Sequence, residues 1–316
     1  MSLIQKLTPT NLEEEKQKFF DKNFNYNPRF RYANEVNPSW LTRYGLPEPD
    51  LLNLAAKIVQ TAKQTRPPSE GEFIRTGEVY KLVDRFLKMH RLDKRYQVIM
   101  DPTIHTVASA TSNLIKLYPE AKFTRNTILS TIYHEIGTHV LRRVNYEKQP
   151  WYKKKKRFGL TTNYLKTEEG LAVIHGRLPK NNKLADNIAL KYLAVAQAQK
   201  LSFKDLFAWL EPYVVNPTKR WRLTVRLKRG LADTGQPGGF TKDLLYFAGL
   251  VKVWRWLKKH DFQIDDLYYG KVAIEDLAIA KELNPNYRPI LPSFYLADKD
   301  KYRQQVLEIG RANFLT

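Results

Sequence analysis

One stretch of this chain turns from helical to β-rich patterning, and that stretch sets the fold class. Between Tyr96 and Leu117 the texture turns β-rich: Gln97-Val98-Ile99-Met100, Ile104–Ala108 and Leu114–Tyr118 are short runs separated by turn residues. They predict a small, mostly antiparallel sheet. Directly after it, Thr124 can cap a long helix beginning with Arg125 and running to about Asn145. Its apolar residues Ile128, Leu129, Ile132, Ile136, Val140 and Val144 recur at helical spacing. Helical patterns precede the β-rich block at Pro49–Gln64 and Gly71–His90. They follow it at Thr167–Leu178, Lys183–Lys200, Ser202–Tyr213, Thr218–Lys228, Lys242–His260, Val272–Leu283 and Asp298–Ala312. The expected class is helix-dominated α+β, with the sheet packed on the long helix. The Asn/Pro-rich aromatic segment from Phe24 to Trp40 reads as a strap over a core. Residues 1–95 read as an extension and helices packed on a core formed by residues 96–316, the two making one compact unit.

Composition narrows the chemistry. The 316 residues include no cysteine, which removes disulfides, thiolate zinc sites, iron–sulfur clusters and cysteine nucleophiles together. Any metal must be held by histidines and carboxylates. Lys and Arg total 53 against 32 Asp and Glu, a formal net charge of +21, which attracts acidic tails, nucleic acid or anionic surfaces. The N-terminal residues carry no signal-peptide apolar region, and no run reaches the roughly 18 apolar residues of a membrane span. A cytoplasmic protein with no membrane partner is expected.

The long helix carries the chemistry. His134 and His139 lie five residues apart with Glu135 directly after the first. In the H-E-x-x-H motif two histidines at i and i+4 share one helical face. At i and i+5 a regular helix separates them by about 140°. A wider turn, a π-bulge, would bring them together, and Gly137 is where such a distortion meets least hindrance. A catalytic zinc keeps three protein ligands and a water. The third can come from Thr167-Glu168-Glu169-Gly170-Leu171-Ala172, which places two carboxylates at a helix start. One zinc ion per chain and Glu135 as general base make the set of a peptidase.

These strings resemble the QEGLA-motif family, which includes the microtubule-associated tyrosine carboxypeptidases and has an H-E-x-x-x-H zinc motif. The likeness rests on His134 to Arg142, on Glu168-Glu169-Gly170-Leu171-Ala172, on Asp233 to Asp243, and on Gln149-Pro150-Trp151. The resemblance implies a zincin-like core, His134 and His139 as zinc histidines, and Glu135 as the catalytic glutamate. It implies Glu169 as third ligand, with Glu168, where the family can have Gln, supporting the ligands from behind. It also implies removal of a C-terminal residue, aromatic in the tubulin-directed members.

Other candidates follow from chemistry. Tyr246 is placed to stabilise an oxyanion. Arg222, Arg226 and Arg229 recur along one helical stripe, and one of these or Lys242 is expected to hold the substrate's carboxylate. His105 and His175 are candidate substrate contacts. The peptide is expected to lie along a sheet edge, at Leu114–Tyr118, and to be an acidic tail. The alternatives are a zinc aminopeptidase or endopeptidase on the same core, or a basic nucleic-acid-binding protein with a structural zinc. The last lacks any zinc-finger or helix-turn-helix signature, so nucleic acid is not required.

Overall fold

The computed structural model describes residues 3–65, 67–104 and 106–315; His105 lies outside them. In chain order it forms α1 (Leu3–Lys6), α2 (Leu12–Asp21), α3 (Pro49–Gln64) and α4 (Thr76–Met89), then strands β1 (Gln97–Met100), β2 (Ala108–Ala110) and β3 (Leu114–Leu117). The long helix comes in three parts: α5 (Arg125–His134), a π-helical segment Glu135–Val140, and α6 (Leu141–Glu147). Helices α7 (Leu165–Arg177), α8 (Asp186–Ala198), α9 (Phe203–Trp209), α10 (Pro217–Lys228) and α11 (Leu244–Lys259) follow, then α12 (Leu277–Leu283), α13 (Ser293–Ala297) and α14 (Lys299–Ala312). The class is α+β and helix-dominated, with one small sheet.

Contacts divide the chain into two compact units, each drawn from two stretches: residues 1–64 with 185–247, and residues 65–184 with 248–316. Residues 65–95, grouped by sequence with the N-terminal extension, belong to the second. In the first unit α3 packs on α8, and an aromatic cluster joins α2, α9 and α10. Phe19 sits 5.2, 4.9 and 5.1 Å, ring to ring, from Phe203, Phe207 and Trp221. The strap is pinned by its backbone: the Phe30 N–H donates to the Ala232 carbonyl at 2.9 Å, and the Thr234 hydroxyl donates to the Pro28 carbonyl at 2.7 Å. Lys228, the last residue of α10, is fully buried. Its ammonium donates to the carbonyls of Ala198, Gln236 and Gly238 at 3.1, 3.0 and 2.9 Å, and also to that of Leu201.

The second unit holds the sheet. Its strand order is β1-β3-β2, with β1 parallel to β3 and β2 antiparallel to it. The segment expected at the edge, Leu114–Tyr118, supplies the central strand instead. Ile115 and Leu117 are buried, and a buried strand keeps its backbone polar groups satisfied by pairing on both sides. The edges are therefore β1 and β2. Thr124 caps α5 in a reciprocal box with Thr127. Ala108, Ile115 and Leu117 of the sheet line a tight apolar gap with Ile128, Ile132 and Ile136 of the long helix.

The start of α7 is fixed by a backbone-to-backbone approach. A Cβ on Gly170 would stand 2.2 Å from the carbonyl group of Gly249, and a Cβ on Gly249 would stand 2.3 Å from the Lys166 carbonyl oxygen. Backbone cannot swing aside as a side chain can. Gly170→Ala is expected to destabilise the protein by about 3 kcal/mol, at the upper end of overpacking costs. The urea midpoint measures it, and an unchanged midpoint would mean that the two backbones do not touch in solution.

Candidate metal centre

The long helix opens into a π-turn at Glu135–Val140, and its surroundings explain why it does so there. Gly137 is buried under Phe294: a Cβ at Gly137 would lie 2.8 Å from Phe294 Cε1. The carbonyl of Gly137 accepts a hydrogen bond from the buried Tyr268 hydroxyl. The Thr138 hydroxyl donates to the Tyr133 carbonyl at 3.0 Å and lies 2.8 Å from His175 Nδ1. Thr138 has one hydroxyl proton, so with that proton on Tyr133 the His175 Nδ1 is the donor. Nε2 of the same ring then accepts from Tyr302 Oη at 3.1 Å. Burial pushes the His175 imidazole down to about 3, which keeps the ring neutral and this tautomer in place.

The wider turn swings the two histidines onto one side. Their Nε2 atoms are 3.4 Å apart, and His139 Nε2 is 3.6 Å from a carboxylate oxygen of Glu169 on α7. One ligand atom from each of His134, His139 and Glu169 lies within 4.8 Å of the others. Tetrahedral zinc with bonds of about 2.0–2.1 Å separates its ligand atoms by about 3.3 Å, so this donor set fits the ion. Glu135 Oε1 lies 3.9 Å from His134 Nε2, beside the site.

Each of the two histidines is held from behind. The Nδ1 atom of His139 is 2.9 Å from Glu168 Oε1, and the ring of His134 hydrogen-bonds to the backbone of Ala172. These contacts leave both Nε2 atoms facing the metal position. Glu168 is itself buried and receives the Lys271 ammonium at 2.6 Å, with the Arg142 guanidinium 3.8 Å away. Arg142 is fully buried and anchored on the carbonyls of Gly270 and Val272 at 3.0 and 2.7 Å. Burial alone would raise the Glu168 carboxyl, but Lys271, His139 and Arg142 outweigh it and hold it well below the ordinary range. For His139, burial opposes the charged ring, yet the Glu168 hydrogen bond and the neighbouring carboxylates lift its pKa.

Glu135 differs from both. About a fifth of its side chain is exposed, yet burial dominates and pushes the carboxyl up to about 7. The charge on Glu169 adds to the shift, while His139 and a hydrogen bond from the backbone of Ala110, on edge strand β2, oppose it. A carboxyl poised there can both take and give a proton near neutrality.

His134, Glu135, His139, Glu168 and Glu169 are thus brought together in the second unit. His175 is beneath them, fully buried with both nitrogens bonded. The remaining candidates belong to the first unit. Arg226 pairs bidentately with the buried Asp243 at 2.6 and 2.5 Å, and its side chain also bonds to Tyr246. The Arg229 side chain donates back to the Arg226 carbonyl at 3.1 Å, Arg222 is exposed, and Lys242 is half-buried. Lys271 and Arg142 escaped sequence reading. Arg142 follows His139 by three positions, a signal that could have marked it, whereas Lys271 has none and meets Glu168 across 103 residues.

Glu168 offers a prediction about charge. Glu168→Gln keeps an oxygen for His139 Nδ1 but leaves Lys271 and Arg142 without their counter-charge. A loss of about 3 kcal/mol in stability is expected, as for any broken buried pair. Zinc affinity is expected to weaken about tenfold. Adding Lys271→Met should recover part of the stability but not the affinity. If the double variant is no more stable than the single, the two groups are not coupled.

Comparison with known proteins places the chain among relatives. The sequence profile of the family described as microtubule-associated tyrosine carboxypeptidase matches residues 41–295. The "Microtubule-associated tyrosine carboxypeptidase 1" of Rattus norvegicus is 31% identical over 99% of this chain and 69% of its own length. The protein of the same name from Homo sapiens is 30% identical over 99% of this chain and 68% of its own length. Both are named as carboxypeptidases, hydrolases of the C-terminal peptide bond.

Proposed function

The chain belongs to the microtubule-associated tyrosine carboxypeptidase family, and on that premise we propose that it is a cytoplasmic, zinc-dependent metallocarboxypeptidase. Its substrate is a peptide or protein with an acidic tail, from which it removes one C-terminal residue, aromatic by analogy with the relatives' names. The observation that carries this reading is the convergence of His134, His139 and Glu169 beside Glu135 on a π-turn. No helix among the described residues is long and apolar enough to cross a membrane.

When bound by these three residues, zinc would supply Lewis acidity for a water molecule and for the scissile carbonyl. Glu135 takes the proton of the attacking water on its carboxylate and passes it to the departing amine. Glu168, backed by Lys271 and Arg142, fixes the His139 ring, and His175 with Thr138 and Tyr302 holds the π-turn open rather than meeting substrate. The free edge of β2, whose Ala110 already bonds Glu135, is where an extended peptide adds as a strand. On chemical grounds alone, Tyr246 is the proposed oxyanion donor and one of Arg222, Arg229 or Lys242 the carboxylate clamp, Arg226 having its fork taken by Asp243.

The test is mass spectrometry of a peptide library, free and amidated at the C-terminus, incubated with zinc-loaded protein. Loss of single residues from free peptides only is the expected result. Cleavage of amidated peptides at internal or N-terminal bonds would discard the clamp and the carboxypeptidase reading together.

A further inference from the structure

The cationic run Lys153 to Arg157 is not a frayed surface tail. Trp151 just before it is fully buried and Leu160 just after it nearly so. Between these anchors, the Lys153 N–H donates to the Tyr146 hydroxyl at 2.8 Å and the Leu160 N–H to the Lys155 carbonyl at 3.1 Å. A 3-10 turn, Lys155–Phe158, closes on Gly159 in the left-handed region, at φ 71°. The run is therefore a built wall. With Tyr146, Thr162 and Tyr164 it encloses an open cleft of about 510 Å³ that contains no carboxylate. Lys153, Lys154, Lys156 and Arg157 are exposed, and none has an ion-pair partner among the described residues.

Lys155 is different, because it is buried and ties the cleft to the metal centre. Its ammonium donates to the backbone carbonyl of Lys271, whose own ammonium holds Glu168 behind His139. Lys155 lines the cleft and bonds to Lys271, and Lys271 in turn supports Glu168 behind His139, so one link joins cleft and metal centre.

We propose that this cleft binds the acidic segment of a peptide, its carboxylates received by Lys153, Lys154, Lys156 and Arg157. The charge is complementary, and the backbone that carries the cations is fixed before binding, which lowers the ordering cost. Single-stranded nucleic acid would need open aromatic faces on which bases stack. Here Lys155 lies 3.8 Å over the Tyr164 ring, and Tyr152 packs on Tyr146 at 5.0 Å. The proposal rests on the peptidase reading only for its choice of a peptide among polyanions.

The experiment measures binding without catalysis, in the full chain carrying Glu135→Gln. Fluorescence anisotropy follows a labelled hexaglutamate peptide with a free C-terminus. The triple variant Lys154→Glu, Lys156→Glu, Arg157→Glu is compared with Arg255→Glu, Lys258→Glu, Lys259→Glu, an equal change of charge on exposed positions of α11. At least tenfold weaker binding is expected for the first variant and less than twofold for the second. Equal weakening in both, or none in either, overturns the proposal. So does a single-stranded hexanucleotide that binds more tightly and is lost with the same variant, which would reassign the cleft to nucleic acid. A protein that cuts no peptide in the library yet binds hexaglutamate through these residues keeps the cleft and sinks only the peptidase reading.

Discussion

Glu135→Gln is expected to lower kcat by roughly 10²- to 10⁴-fold, the contribution of a positioned general acid–base, while the protein still binds one zinc ion. The amide keeps the shape of the side chain but cannot accept the water's proton. Stability should not fall, and the sign can be worked out. Burial raises the folded-state pKa of this carboxyl to about 7, above its unfolded value. The folded protein then binds more protons than the unfolded chain between about pH 4.5 and 7, so this group makes stability decline as pH rises through that window. Replacing it with Gln removes that decline, and the metal-free variant should melt at or above the parent at pH 8. Kinetics with a free peptide, zinc analysis and thermal melts check the three parts. A variant that keeps its kcat within tenfold removes Glu135 as the base, and one that loses its zinc makes Glu135 a structural residue.

Lys228→Met is expected to be the most damaging single change away from the metal centre. The ammonium is fully buried and donates to four backbone carbonyls, two of them in the Asp233–Gly239 segment. Methionine fills a similar volume but offers no proton, so the carbonyls lose this donor, that of Ala198 still accepting from the Gly238 N–H at 2.9 Å. A loss of about 3–5 kcal/mol follows from breaking a buried charged network by removing one partner. Urea denaturation followed by tryptophan fluorescence should show it, since Trp221 packs in the core of the same unit. A change of less than about 0.5 kcal/mol, the range of ordinary surface substitutions, would mean that water takes over the four carbonyls.

What the sequence made legible is what local spacing can carry. The i, i+5 pair with Gly137 between its members required a wider turn, and the helix has one at Glu135–Val140. Glu168 ends the first turn of the next long helix and Glu169 follows it, so their meeting with the histidines could be anticipated. Long-range partners could not. Lys271 neutralises Glu168 from across 103 residues, and no periodicity marks it. Lys228 reads as one more cation on a basic stripe, because composition does not distinguish an ammonium caged by carbonyls from one in water. Arg226, chosen for its fork of donors, has that fork occupied by Asp243, which a charge count treats only as a cancelling sign. Leu114–Tyr118 reads as a sheet edge and supplies the central strand, because strand order is a property of pairing, not of any single strand.

The π-turn also bears on how such a helix tolerates insertion and deletion. In an ordinary α-helix one residue gained or lost rotates everything beyond it by about 100°, which throws the buried stripe into solvent. Here the surplus residue is taken up within Glu135–Val140, and α6 resumes with Leu141 and Val144 buried. Loss of one residue between the histidines, with return to α-helical winding, would leave that downstream phase untouched and set the pair at i, i+4. The two metal-binding patterns are then a single codon apart, joined by a route on which the fold need not be rebuilt and both imidazoles stay on one face.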